Sequence, residues 1–348
     1  MKSKYVFFLM VLLLVFGCAP SQVQKDIPET GRKWHGVHLL DYNTDEDLKE
    51  LARNVPRLTA LGINTIILEV DYNFDYKSHP ELRRGEKPVT EKAAHEFAAL
   101  CRRYGIRLIP EFQCLGHQSW EEETYPLLTQ YPEFDITPGA YPGNKGIYCR
   151  EWDPTNPRIN QIVFELMDEL IDAFEADALH VGMDEVFLLG DEYSPSTRGK
   201  DPAELYAKEV NEIHEHLVTN RGVEMLMWGD RLIDCEKYDF GEWESAVNGT
   251  APAVDMIPKD IIICPWHYEL RDEYPSIPMF LAKGFRVLPA GWKNTEATKS
   301  LIRYSYKQKS PQMLGYLFTT WGLEKEEVLI FPPIIEGMKK IRKLHSGW

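Results

Sequence analysis

The stretch Ala178-Leu179-His180-Val181-Gly182-Met183-Asp184-Glu185-Val186 decides how this chain reads: an apolar run that ends in two adjacent carboxylates. A strand that stays apolar and presents Asp-Glu at its C-terminal end sits where a (β/α)8 barrel carries its reactive groups. The competing reading is a solvated helix start or loop end, because Asp-Glu pairs are common. The flanks argue against it. A helical pattern over 157–176 precedes the run and a loop containing Leu189-Gly190-Asp191 follows, so a buried strand is expected.

Working outward, short apolar runs alternate with amphipathic stretches, the pattern of βα units and a parallel sheet. The runs are 35–40, 65–70, 107–111, 178–182, 224–228, 261–266, 285–288 and 314–318. Helices are expected near 45–61, 91–104, 157–176, 202–221, 277–283, 296–307 and 333–344, and the fifth is indistinct within 236–259. Leu61-Gly62, Tyr104-Gly105 and Arg221-Gly222 each close a helix just before a strand, as a glycine beyond a helix C-terminus does. Eight strands and seven helices predict an α/β fold: a single (β/α)8 TIM barrel over 32–348, with long βα loops at 112–156, 186–201 and 229–260. Loops elaborated on one face imply that this face carries function. No Gly-rich dinucleotide loop is present, so an open doubly wound sheet is disfavoured and no cofactor is expected.

The N-terminus sets the compartment. Lys2 and Lys4 precede the apolar segment 5–16, which is too short for a comfortable membrane span and reads as an export signal. Leu14-Val15-Phe16-Gly17-Cys18 resembles a bacterial lipoprotein signal. Residues 1–17 are then a signal peptide, Cys18 carries lipid, and 18–31 form a polar tether. The protein is expected to be exported and held to a bacterial membrane by that lipid alone. Removing 1–17 takes away two lysines and no acid, so the net charge moves from −15 to −17. So acidic a chain is no partner for nucleic acid, whose phosphates need clustered Lys and Arg. A neutral ligand is easier to accommodate. The other five cysteines, Cys101, Cys114, Cys149, Cys235 and Cys264, show no zinc spacing. Cys101 and Cys264 read as buried thiols, and Cys114 with Cys149 could bridge in an exported protein.

Four tryptophans recur at the strand ends: Trp228, Trp266, Trp292 and Trp321. Indoles around one pocket mouth offer flat apolar walls with an N–H each, which suits the C–H faces and hydroxyls of a sugar; the alternative is that they cap the core. A carboxyl walled by indole has its neutral form favoured, as a general acid requires, while a more solvated neighbour stays ionised. Two such acids are the minimum for glycosidic cleavage. His180, inside a strand, reads as a satisfied core group.

Further signals are Pro110-Glu111-Phe112-Gln113-Cys114-Leu115-Gly116-His117 and Trp228-Gly229-Asp230. Together with His180-Val181-Gly182-Met183-Asp184-Glu185, they resemble family 20 glycoside hydrolases, the β-N-acetylhexosaminidases. The likeness runs in the same strand order from about Trp34 to Glu324, without room for the small α/β domain that usually precedes the barrel. It implies exo-acting, retaining hydrolysis of terminal β-linked N-acetylhexosamine, in which the sugar's own acetamide oxygen attacks the anomeric carbon. By resemblance Asp184 orients the acetamide, Glu185 is the general acid and base, and His117 supports Glu185 with help from Asp71. Sugar contacts are expected from His35, Asp71, Trp228, Asp230, Trp266, Trp292, Asn294, Trp321 and Glu324. The chain departs from the family at Trp34-His35-Gly36, where Arg is usual, and at Trp292-Lys293-Asn294, where Tyr-x-Asp is usual. Trp321-Gly322-Leu323-Glu324 is one residue longer than Trp-x-Glu.

Two rivals belong to other classes. A lipid-anchored carbohydrate-binding barrel without turnover would explain the lost Arg and Tyr. A metal-dependent hydrolase would use His117, His180 and Asp184, but His35 and His38 are three apart and face opposite sides of a strand, so the His-x-His pair such a site needs is missing and no metal is expected.

Overall fold

Each of the eight apolar runs becomes a strand, and all pair in parallel. In chain order they are β1 (Trp34–Leu39), β2 (Thr65–Glu69), β3 (Arg107–Cys114), β4 (Ala178–Gly182), β5 (Glu224–Trp228), β6 (Ile262–Cys264), β7 (Arg286–Val287 continued by Ala290–Gly291) and β8 (Gly315–Phe318). The computed structural model describes residues 33–345, so the expected signal peptide, the tether and Cys18 lie outside the described residues. Strand β7 closes the barrel. Its first segment pairs with β6 and its second with β8, while β8 also pairs with β1. The strand is interrupted at Pro289, which has no N–H to give to a ladder but whose carbonyl still accepts from Leu317.

Alternation along the strands separates two cores. Ile67, Ile109, Ala178, Leu226, Ile262, Leu288 and Leu317 point inward and fill the barrel, whereas Ile66, Leu68, Leu108, Leu179 and Val181 point outward against the helices. Those helices are α1 (Asp45–Leu61), α2 (Glu91–Arg103), α3 (Pro157–Ala173), α4 (Pro202–His214), α5 (Ser276–Ala282), α6 (Thr295–Lys307) and α7 (Pro332–His345). Thr44, Thr90, Asn156, Asp201 and Asn294 each accept a backbone N–H of the first turn of their helices, and Gly62 closes α1 at φ 98° as expected.

Three expectations need correction. The helix expected over 202–221 leaves α geometry at His214 and finishes as a wider π turn over Glu215–Asn220. After β5 there is no full helix, only a turn at Cys235–Tyr238 and a 3-10 turn at Ala251–Asp255, because Gly241, Gly249, Pro252 and Pro258 interrupt the segment. Cys114 and Cys149 are separate free thiols, not a bridge, and Cys101 and Cys264 are buried as expected. None of the described helices is long and apolar enough to cross a membrane.

Inside the barrel lies a buried charged cluster. Glu111 of β3 takes His38 Nε2 of β1 at 2.5 Å, His180 Nδ1 of β4 at 3.1 Å, and the indole N–H of Trp228 of β5 at 3.2 Å. Burial alone would raise the Glu111 carboxyl, but His180 and His38 hold it far below the usual carboxylate range. The cluster ties four strands together beneath the loop face.

Candidate active site

The turn leaving β4 is sharp because three of its four residues are left-handed: Gly182 (φ 61°), Met183 (φ 71°) and Glu185 (φ 50°). Each non-glycine residue so placed costs roughly 1–2 kcal/mol. The surroundings hold the turn in place. Tyr206 donates its hydroxyl to the Met183 carbonyl at 2.7 Å, and Asp230 Oδ2 accepts the Glu185 N–H at 2.9 Å. Position 182 must be glycine for a second reason: a Cβ there would lie 1.7 Å from Gln113 Oε1.

Gln113, near the end of β3, connects two acids. Its backbone N–H donates to Asp71 Oδ1 at 2.7 Å, and its side-chain Nε2 donates to Asp184 Oδ1 at 2.6 Å. His117 reaches the acids from the next turn, its Nε2 lying 3.1 Å from Glu185 Oε2 and 3.5 Å from Asp184 Oδ2. Leu115 (φ 63°) and His117 (φ 52°) bend this loop, and Gly116 lets it pass against the Asp184 carbonyl, which a Cβ would meet at 2.8 Å.

Burial works against charge at all of these groups, and the pairings decide the outcome. At Asp184 burial is outweighed by His117 and by the hydrogen bonds from His117 and Gln113, so its carboxyl sits below the usual value. At His117 burial is outweighed by Asp184, Cys149 and Glu185, so the imidazole is pushed well above its ordinary value. Asp71 differs: burial pushes it up to about 7 despite the Gln113 N–H. The donor atoms of His117, Asp184 and Glu185 lie within 4.8 Å of one another, a spacing that could hold a cation. The raised imidazole also places positive charge between the two carboxylates. His180, invoked by the metal reading, is engaged with Glu111 in the barrel interior and belongs to no shared site with His117.

Beside the acids the loops after β6, β7 and β8 form an aromatic cup. Trp266 stacks on Tyr268 at 4.9 Å, Tyr268 meets Trp292 at 5.4 Å, Trp321 donates its indole N–H to the Tyr268 hydroxyl at 2.6 Å, and Trp292 donates to the Trp321 carbonyl at 2.9 Å. Trp228 lies 6.0 Å from Trp321. The four expected tryptophans are thus together, but unequal in access. Trp292 and Trp321 are half-buried, Trp266 is 6% exposed and Trp228 only 1%, so Trp228 is the floor beneath the cup and its N–H is taken by Glu111.

Other expected sugar contacts need correction. His35 sits at the opposite end of the barrel, with Nδ1 3.1 Å from the Gly62 carbonyl before β2, because position 35 faces outward while His38 faces inward. Asp230 is fully buried and clamps the Glu185 N–H, Arg231 Nε and the Trp266 indole, so it shapes the site from behind. Asn294 is occupied as the N-cap of α6. Asp71 holds Gln113, whereas Glu324 is exposed and heads the turn Lys325–Ile330.

Sequence reasoning missed Gln113, Tyr268 and Tyr148. Strand alternation was the available signal for the first, since 109, 111 and 113 share the inward face of β3. Tyr268 follows Trp266 by two and shares its side of the chain. Tyr148 lies far along an irregular loop, and nothing local marks it as reaching the edge of His117 at 5.7 Å.

Comparison with known proteins bears on the fold and the family. Hexosaminidase D of Bos taurus is 25% identical over 206 residues, 57% of this chain and 56% of that protein, so the chain spans about half the length of this relative. Among solved structures, the chitobiase of Flavobacterium johnsoniae superposes with a TM-score of 0.65 at 20% identity, covering 90% of this chain and 50% of that one. The β-N-acetylhexosaminidase of Bacteroides fragilis gives 0.63 at 15%, covering 88% and 66%. These likenesses establish the shared barrel fold. Residues 53–291, from α1 to the end of β7 and including the acid pair, match the catalytic-domain model of glycosyl hydrolase family 20, and the chain belongs to that family.

Proposed function

We propose that this protein is an exo-acting, retaining glycosidase that removes terminal β-linked N-acetylhexosamine by substrate-assisted catalysis. The observation that carries the reading is the geometry around two adjacent acids: Gln113 grips Asp184 at 2.6 Å, His117 Nε2 lies 3.1 Å from Glu185 Oε2, and the Asp184 carboxyl is held below its usual value. In the first step the acetamide oxygen of the bound sugar bonds to the anomeric carbon. The bond to the leaving oxygen breaks, and that oxygen takes the proton of the Glu185 carboxyl. Asp184, charged and fixed, stabilises the positive oxazolinium so formed. In the second step water adds to the anomeric carbon, its proton passes to Glu185, and the acetamide oxygen leaves. The cup of Trp266, Tyr268, Trp292 and Trp321 suits a single terminal ring, which supports exo action.

The tail belongs to the same proposal: export through residues 1–17 and anchorage by lipid on Cys18, with 18–31 as tether. Loss of lipid labelling and release from the membrane fraction in C18A is the expected result; retention would refute the anchor.

A second reading, a carbohydrate-binding barrel without turnover, rests on one observation. His35, the counterpart of the family's sugar-gripping arginine, faces away from the cup. A panel of nitrophenyl sugars separates the two. Hydrolysis is expected only where the 2-acetamido group is present, and is expected to fall by orders of magnitude in D184N and E185Q. Equal rates on glucosides lacking the acetamide, or full activity in D184N, would refute the mechanism.

A further inference from the structure

Among the described residues, the two tryptophans that are more than a third exposed are Trp120 (48%) and Trp243 (44%), and both touch Tyr148 (36%). The ring centroids lie 5.7 Å apart for Trp120 and Tyr148 and 4.9 Å apart for Tyr148 and Trp243. Phe187 backs the strip at 6.1 Å from Tyr148 and 5.7 Å from Trp243. Three different loops contribute, those after β3, β4 and β5, so the strip is a product of the fold and not of one local sequence. It is continuous with the acids: Tyr148 meets the edge of His117, and burial together with Glu185 raises its hydroxyl.

The strip is held rigid from below. Arg231, fully buried, donates to the Trp243 carbonyl at 3.0 Å and lays its guanidinium 4.6 Å from the Phe187 ring. Glu151 accepts the N–H groups of Phe187 and Leu188, and Arg150 ties its own loop to Asp135 at 2.6 Å. Solvent-exposed aromatic faces so pre-ordered lose little freedom when a ligand stacks on them.

We propose that this strip binds the leaving-group side of the substrate, so that the preferred substrate class is an oligosaccharide with at least two sugar rings beyond the scissile bond. The inference rests on the glycosidase reading of the acid pair. The cup lies on the loops after β6, β7 and β8, and the strip on those after β3, β4 and β5, with the acids closing β4. A ring seated in the cup therefore directs its anomeric substituent past Glu185 towards Tyr148, Trp243 and Trp120. The rings meet edge to face, at 83° between Trp120 and Tyr148 and 63° between Tyr148 and Trp243, so Tyr148 is the centre of the strip and the two exposed indoles flank it. At about 25 cal/mol per Å², a tenfold gain in affinity across the whole strip needs about 55 Å² of apolar surface buried by the saccharide.

The test compares β-1,4-linked N-acetylglucosamine disaccharide and tetrasaccharide. In the wild type kcat/KM is expected to rise about tenfold from the shorter to the longer substrate. That gain is expected to shrink below twofold in W243A and in W120A, and to return largely in W243F. Calorimetry on E185Q reads the same preference without turnover, with W243A added to it as the loss variant. Hydrolysis with no length preference and no effect of either tryptophan overturns the strip and leaves the glycosidase reading standing. Tighter binding of the tetrasaccharide that W243A abolishes, with no hydrolysis by the wild type, upholds the strip and overturns the glycosidase reading. Self-association in solution that W243A abolishes, without any saccharide preference, would make the strip a contact between copies of this chain and overturn the proposal.

Discussion

Replacing Gln113 with leucine isolates what holds Asp184. The side-chain amide donates to Asp184 Oδ1 at 2.6 Å, while the backbone N–H, which leucine retains, donates to Asp71. A hydrogen bond to a charged group contributes about 1.5–3 kcal/mol. Lost from the ionised form alone, that range raises the Asp184 carboxyl by about one to two pH units, at 1.36 kcal/mol per unit. The native carboxyl lies below the usual value, so its contribution to stability is present above the unfolded pKa and disappears as pH falls through the folded one. The variant should therefore show its largest stability deficit near neutrality and little deficit in acid. Activity carries a second signature. If a fixed, ionised Asp184 stabilises the oxazolinium, the same energy lowers kcat by about 10- to 100-fold. The acid limb of the kcat profile also moves upward by about one to two units, because protonation now begins at higher pH. The assay is kcat and kcat/KM on nitrophenyl N-acetylglucosaminide from pH 3 to 8, with thermal melting as the control for folding. A kcat within twofold of wild type, together with an unmoved acid limb, would refute the claim that Gln113 sets the charge and direction of Asp184.

Gly182→Ala places a methyl 1.7 Å from Gln113 Oε1 at φ 61°, so overpacking and backbone strain together should cost on the order of 2–4 kcal/mol. Melting well below wild type, with reduced kcat in the folded fraction, is expected, and an unchanged melting temperature would count against the close packing. Burial pushes Glu151 from 4.5 up to about 8, despite the Leu188 and Phe187 N–H bonds. A carboxyl raised in the native state binds more protons there than in the unfolded chain, so wild-type stability should decline as pH rises from about 4.5 through 8. Glu151→Gln keeps an oxygen for those N–H groups and should flatten that decline in melts between pH 5 and 9; parallel curves would sink the assignment.

The barrel was legible because its strands are short apolar runs and its helices are punctuated by glycine, both consequences of burial and backbone geometry that act locally. The acid pair was legible for the same reason: polar residues terminating an apolar strand have only the loop face to occupy. What lay beyond reach depended on direction and distance. Alternation put His35 and His38 on opposite sides of β1, but which of them enters the barrel was not legible: it is His38, while His35 turns towards Gly62. Trp228 and Trp266 end neighbouring strands in similar sequence, yet one indole is spent on Glu111 and the other on Asp230. Asp230 looked like a sugar ligand because it follows a strand, the same ground on which Asp184 was chosen. Its partners separate them: Arg231 is buried against it and neutralises it, so Asp230 became an anchor for the Glu185 amide. Both acids have a cationic neighbour, but both Asp230 oxygens are taken within the chain, by the Glu185 N–H, Arg231 Nε and the Trp266 indole, whereas Asp184 Oδ2 has only His117 at 3.5 Å. That difference in partners, not position on the barrel, divides the acids that build this face from those proposed to act on it.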